Sequence, residues 1–158
     1  MPPRSFYNIY LSENLLGFFL SEIQGILTFM SNKRRAKDWL NQAKNDLKWA
    51  EESLKQGFFS QTCFISQQAG EKAIKAIAYH QEYDVRGHSI AKIAQAIGIN
   101  SDVEKAGKSL DVFYISARYP DALPEGAPFE FFEIEQATKA IKDATIIMQK
   151  ASAELGLP

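Results

Sequence analysis

Apolar positions along the chain recur at helical steps for most of its length. Ala36, Leu40, Ala43, Leu47, Ala50 and Leu54 fall three or four residues apart, which makes one apolar stripe on a long helix. Lys44, Asp46, Lys48, Glu51, Glu52 and Lys55 occupy its other faces. Gly57 is the expected stop, because glycine accepts the left-handed conformation at a helix C-terminus. A second long helix is predicted over residues 59–79. Cys63, Ala69, Ala73, Ile74, Ile77 and Ala78 give it an apolar side, and Gln67, Gln68, Glu71, Lys72 and Lys75 a polar one. Its alanines permit close helix approach, which suits a central position. Residues 84–87 read as a connection. Ser89 is placed to cap a short helix over 90–97, which Gly98 closes. Ser101-Asp102-Val103-Glu104 has the form of a capping box. The helix it opens carries Val103, Ala106, Leu110, Phe113 and Tyr114 and runs into Arg118-Tyr119-Pro120-Asp121. Proline disfavours helical geometry in the residue before it, so that helix should end near Arg118 or Tyr119. Residues 120–128 hold three prolines and a glycine and read as a loop. A last helix begins near 130–133, with Ile134, Ala137, Ile141, Ala144, Thr145 and Met148 inward and Glu135 paired with Lys139 outside. No stretch alternates as a sheet requires. The expected fold is all-α, an antiparallel up-and-down bundle of four long helices and one short helix.

Residues 1–29 stand apart from this pattern. They are rich in Phe, Leu and Ile, with Arg4, Glu13 and Glu22 as their only charges. Polar residues such as Ser12, Asn14, Ser21 and Gln24 interrupt what would otherwise resemble a membrane span, and the basic start and cleavage site of a signal peptide are missing. Two readings stay open. The segment is an extra amphipathic helix that packs on the body or on a partner, or it lies upstream of a true start at Met30. The domain division is therefore 1–29, an apolar extension, and 30–158, the bundle.

Composition narrows the function. The chain has 158 residues, enough for one domain with a real core, and a formal net charge of −1. That balance argues against a broad electrostatic grip on duplex DNA and leaves only local contacts to RNA or nucleotide. With one cysteine, Cys63, no intrachain disulfide forms. The expected compartment is the cytoplasm, with no membrane association. Cys63 lies in an apolar stretch and reads as a core residue. Two histidines and one cysteine do not supply a structural zinc site, so neither metal nor cofactor is expected.

Polar groups on helices carry the candidate chemistry. Gln68, Glu71, Lys72 and Lys75 share a helix face, and the reading favoured by the pattern alone is a solvated surface. The sharper one is a polar groove in which Lys72 or Lys75 meets phosphate. His88 suits acid–base chemistry or hydrogen bonding to a neighbouring helix end. His80, at the end of the second helix, reads as structural. Arg118 and Asp121 flank a turn on a helical scaffold, a common place for binding residues. The plainer reading there is that they pair with each other or cap helices and that Tyr119 packs.

Four motifs in order carry a resemblance: Trp39-Leu40-x-x-Ala43-x-x-Asp46-Leu47, Gln67-Gln68-Ala69-Gly70-Glu71-Lys72-Ala73-Ile74-Lys75-Ala76, Gly87-His88-Ser89-Ile90, and Tyr114-x-x-x-Arg118-Tyr119-Pro120-Asp121. Over about residues 33–153 the chain resembles the HEPN domains, the higher eukaryotes and prokaryotes nucleotide-binding family. The resemblance implies a helical bundle that forms a homodimer. It also implies a minimal nucleotidyltransferase as partner in a toxin–antitoxin pair, and either nucleotide binding or metal-independent RNA cleavage. Cleaving members carry an arginine followed, after four to six residues, by a histidine. Here no histidine follows Arg118, and Arg86 precedes His88 by only two positions. The ribonuclease motif is absent, which disfavours catalysis by that route and RNA as the ligand; an RNA-cleaving toxin improvised from Arg118, His88 and Glu71, and a purely structural partner subunit, stay open as alternatives. The residues that match the nucleotide-binding branch are Glu71, Lys72, Lys75, His88, Arg118, Tyr119 and Asp121, with a nucleotide or the partner protein as what they would bind.

Overall fold

A computed structural model describes the backbone of residues 4–100 and 102–158, and side chains within that range from Gly17 onward. Every regular element among these residues is helical. They are α1 (Arg4–Lys55), α2 (Phe59–His80), α3 (Ile90–Ala96), α4 (Asp102–Asp111), α5 (Phe113–Ser116) and α6 (Ile134–Leu155), with 3-10 turns at Pro120–Ala122 and Pro128–Glu130. The all-α bundle expected from periodicity is the fold observed.

The central place expected for α2 is the place it takes. It packs against α1, α3, α4, α5 and α6. Ala69, Ala73, Ile74, Ala76, Ile77 and Ala78 are all fully buried on it, and the small alanines among them let neighbouring helices approach. Leu40 and Ala43 of α1, Ile90 of α3, Leu110 of α4 and Ile147 of α6 close the core around it. Gly57 and Gly98 end their helices with φ of +79° and +73°, a region closed to most side chains.

Several expectations need correction. The helix leading to Arg118 is not regular throughout, since α4 stops at Asp111 and a short α5 follows. Val112 between them keeps helical dihedrals (φ −63°, ψ −25°), so the chain holds its course while the hydrogen-bond pattern is interrupted. Tyr119 before Pro120 is extended (φ −121°, ψ 130°), as the proline requires. Ile134 is half exposed rather than inward, because α6 begins at this residue. Lys139 reaches forward to Asp143 at 2.5 Å and across to Ser109 at 2.7 Å instead of back to Glu135. Asp46 is buried rather than outward, because Lys72 of α2 pairs with it. Ser101, the proposed capping serine, lies outside the described residues.

α1 runs without a break through Met30, where the sequence changes character. Contact with the bundle begins in earnest at Ala36, which is fully buried. From Gly17 to Ser31 every residue is exposed, so this stretch of helix does not pack on its own bundle.

Candidate functional site

Gln67, Glu71 and Lys75 stand one turn apart on α2 and form a buried polar ladder rather than a solvated face. Gln67 is fully buried and Glu71 only 6% exposed, so each needs hydrogen-bond partners to offset desolvation. The Gln67 amide Nε2 donates to the His88 carbonyl at 3.2 Å, and its oxygen accepts from Gln68 Nε2 at 2.7 Å. Glu71 Oε1 accepts from Lys75 Nζ at 2.7 Å and meets His88 Nδ1 at 3.1 Å. The carboxylate can only accept, so this contact requires the hydrogen on Nδ1 and turns Nε2 away from Glu71.

The His88 loop is held from its other side by Asp111. That carboxylate accepts from Ser89 Oγ at 2.7 Å, Ile90 N at 2.8 Å and Ala91 N at 3.2 Å. It satisfies amide donors at the start of α3 that helix geometry leaves open. Ser89 Oγ adds the expected cap, accepting from Lys92 N. His88 is therefore fixed on a loop tied to both α2 and α4, while its own side chain remains 55% exposed.

Tyr114 connects this ladder to the Arg118 turn. The His88 ring stacks on Tyr114 with centroids 4.5 Å apart and planes 17° from parallel. The Arg118 guanidinium carbon lies 4.5 Å from the same ring, 4.6 Å from Phe64 and 4.9 Å from Tyr119. Arg118 Nε donates to the Tyr114 carbonyl at 2.7 Å. Among the described residues no carboxylate pairs with Arg118. The suggested Arg118–Asp121 pair is thus not made. Tyr119 is half exposed rather than packed away.

Five of the seven residues singled out from sequence, Glu71, Lys75, His88, Arg118 and Tyr119, line one continuous strip. The other two are not joined to it by a hydrogen bond or ion pair among the described residues. Lys72 points toward α1 and pairs with Asp46 at 2.7 Å, and Asp46 also accepts from Gln42. This clasp buries Asp46 and holds α1 on α2. Asp121 opens the 3-10 turn after Pro120 and is exposed. Sequence reasoning left out Gln67 and Asp111, which position the strip, and Phe64 and Tyr114, which form its aromatic floor. Gln67 and Tyr114 carried a legible signal, since both stand in the motifs that bear the resemblance.

Cys63 takes no part. It is fully buried, and burial pushes its thiol up to about 12. Among the described residues no group of His, Cys, Asp and Glu has metal-binding geometry, and no helix is long and apolar enough to cross a membrane.

Residues 36–154 match the family model of the HEPN domain. The chain belongs to the HEPN domain family. Among solved structures it is similar to TT1696 from Thermus thermophilus, with 34% identity and a TM-score of 0.72 over 76% of this chain and 98% of the other. ST0689, described as an archaeal HEPN homologue, matches at 34% identity and a TM-score of 0.69 over 77% and 98% of the two chains. A HEPN domain protein from Thermotoga maritima matches at 28% and 0.62 over 75% and 98%. The chain is also 25% identical over 131 residues to a Methanocaldococcus jannaschii protein named "Putative toxin MJ1304", covering 75% of this chain and 86% of that one. The HEPN match begins at Ala36, where α1 enters the bundle, so the exposed stretch before it lies outside the family region.

Proposed function

We propose that this HEPN protein is a dimeric binding module of a toxin–antitoxin pair. The strip from Glu71 through His88 and Tyr114 to Arg118 and Tyr119 takes a nucleotide, or a nucleotide-handling partner such as a minimal nucleotidyltransferase. The observation that carries this reading is Arg118, a permanent cation set among three aromatic rings without a carboxylate partner among the described residues. A guanidinium in that state offers bidentate donors to phosphate, and the exposed Tyr119 ring offers a face to a base. The similarity to a protein named as a toxin supports the biological setting. Titration with ATP, comparing the native chain with Arg118→Ala, tests it. Saturable binding removed by the substitution supports the site. If neither protein binds while a nucleotidyltransferase co-purifies, the chain is a structural partner subunit.

A second reading, an RNA-cleaving toxin, draws support from one arrangement. His88 keeps Nε2 turned away from Glu71, and Arg118 shares the Tyr114 ring with it. A base and a cation able to pair with phosphate thus share one aromatic ring although the family's sequence motif is missing. Growth arrest on expression that His88→Ala relieves would favour this reading, and harmless expression of the native chain would remove it.

A further inference from the structure

The N-terminal part of α1 carries an apolar face that its own bundle leaves uncovered. α1 is 52 residues long, about 78 Å at the helical rise. The described residues before Ala36 expose Phe19, Leu20, Ile23, Ile26, Leu27 and Met30, each more than half accessible. Helices in water owe most of their stability to packing of an apolar face, so this stretch calls for a partner.

The spacing and charges specify which one. Phe19, Ile23, Ile26 and Met30 recur at steps of four, three and four, the a/d repeat of a coiled-coil seam, with Leu20 and Leu27 beside it. This seam is turned by roughly a third of a revolution from the Ala36, Leu40, Ala43 and Leu47 stripe that packs on α2. It therefore forms a separate face and does not extend the bundle core. Lys33, Arg34 and Arg35 follow at its base, and Glu22 is the only charge between Gly17 and Asn32. Parallel pairing of two copies would set these basic clusters against each other. Antiparallel pairing separates them and brings Ile23 opposite Ile26 and Phe19 opposite Met30. Six such residues, at about 100 Å² of exposed surface each, bury on the order of 1,200 Å² in a pair, the lower end of a stable interface.

We infer that the N-terminal segment of α1 docks on the same segment of a second copy as an antiparallel two-helix coiled coil. The contact is independent of the proposed nucleotide site and of any dimer seam on the bundle. Its test is disulfide capture in the full-length protein, which is feasible because the native Cys63 is fully buried. Phe19→Cys and Met30→Cys chains are mixed and oxidised. Antiparallel pairing yields chiefly 19–30 cross-links between chains, and adding Ile23→Glu with Ile26→Glu to both chains lowers their yield at least tenfold while circular dichroism shows the bundle still helical. Cross-links confined to 19–19 and 30–30 would overturn the antiparallel register. No cross-links, with the chain instead floating on phosphatidylserine vesicles, would make the face a lipid-binding one and overturn the inference.

Discussion

Arg118 is held to Tyr114 twice, by its Nε hydrogen bond to the Tyr114 carbonyl at 2.7 Å and by its guanidinium lying 4.5 Å from the centre of the Tyr114 ring. The backbone bond fixes the root of the head group, and the rings fix its plane. The remaining guanidinium donors are then positioned without a carboxylate competing for them among the described residues. Arg118→Lys should not restore what Arg118→Ala removes, because an ammonium lacks both the planar stack and the two-pronged donor set. Either substitution should cost no more than about 2 kcal/mol of stability, measurable by urea unfolding. A larger loss in Arg118→Lys would make the residue structural.

Glu71 is the buried anion of the strip, with Lys75 at 2.7 Å and His88 at 3.1 Å on the same oxygen. Glu71→Ala strands a lysine whose side chain is only 14% exposed and should destabilise the protein by about 3 kcal/mol. Removing both Glu71 and Lys75 should cost clearly less than the sum of the single losses. Additive losses in a double-mutant cycle would show the pair to be energetically independent.

Asp111 secures the His88 loop through three hydrogen bonds to residues 89–91. In Asp111→Asn one oxygen becomes an amide donor facing donors, so about 1–2 kcal/mol should be lost. His88 should move relative to Tyr114, which a changed His88 ring shift in NMR spectra would report. An unchanged shift would mean that Gln67, Glu71 and Tyr114 hold His88 in place without Asp111.

Gly107 lies where α4 crosses α3. A Cβ there would stand 2.9 Å from the backbone nitrogen of Ala91, and backbone cannot swing aside. Gly107→Ala should destabilise by about 1–3 kcal/mol through overpacking, despite its favourable helix propensity. A stabilised variant would contradict this close approach.

Burial raises the Cys63 thiol from an ordinary value of 9.0 to about 12. Between these values the unfolded chain releases the thiol proton and the folded one retains it, so the unfolded state binds fewer protons. Stability should therefore fall as pH rises from about 9 toward 12, and Cys63→Ala should lack this part of the decline. Thiol reagents should label Cys63 only as the chain unfolds.

The bundle was legible because its signals are local. The Ala36–Leu54 stripe, the glycines at 57 and 98, the Ser89 cap and the proline at 120 each act within a turn or two of chain. The polar side of α2 was misread because helical periodicity shows which residues share a face but not what that face meets. Gln67 and Glu71 look solvated until the His88 loop closes over them, and Lys72 looks like their neighbour although Asp46 draws it toward α1. Asp111 was invisible for the same reason, since its partners lie some twenty residues away in sequence. The resemblance singles out Glu71, His88 and Arg118 together, and tertiary packing joins them through Tyr114, which stands in the same motif as Arg118 but shows no binding role in the sequence.

The central claim is that Arg118 is a binding residue rather than a structural one. Isothermal titration of the folded protein with ATP, repeated on Arg118→Ala under identical conditions, tests it most directly. The expected result is saturable heat with the native chain and at least a tenfold weaker affinity in the variant at unchanged helical content. Equal affinity in both proteins would place the ligand elsewhere and contradict the assignment.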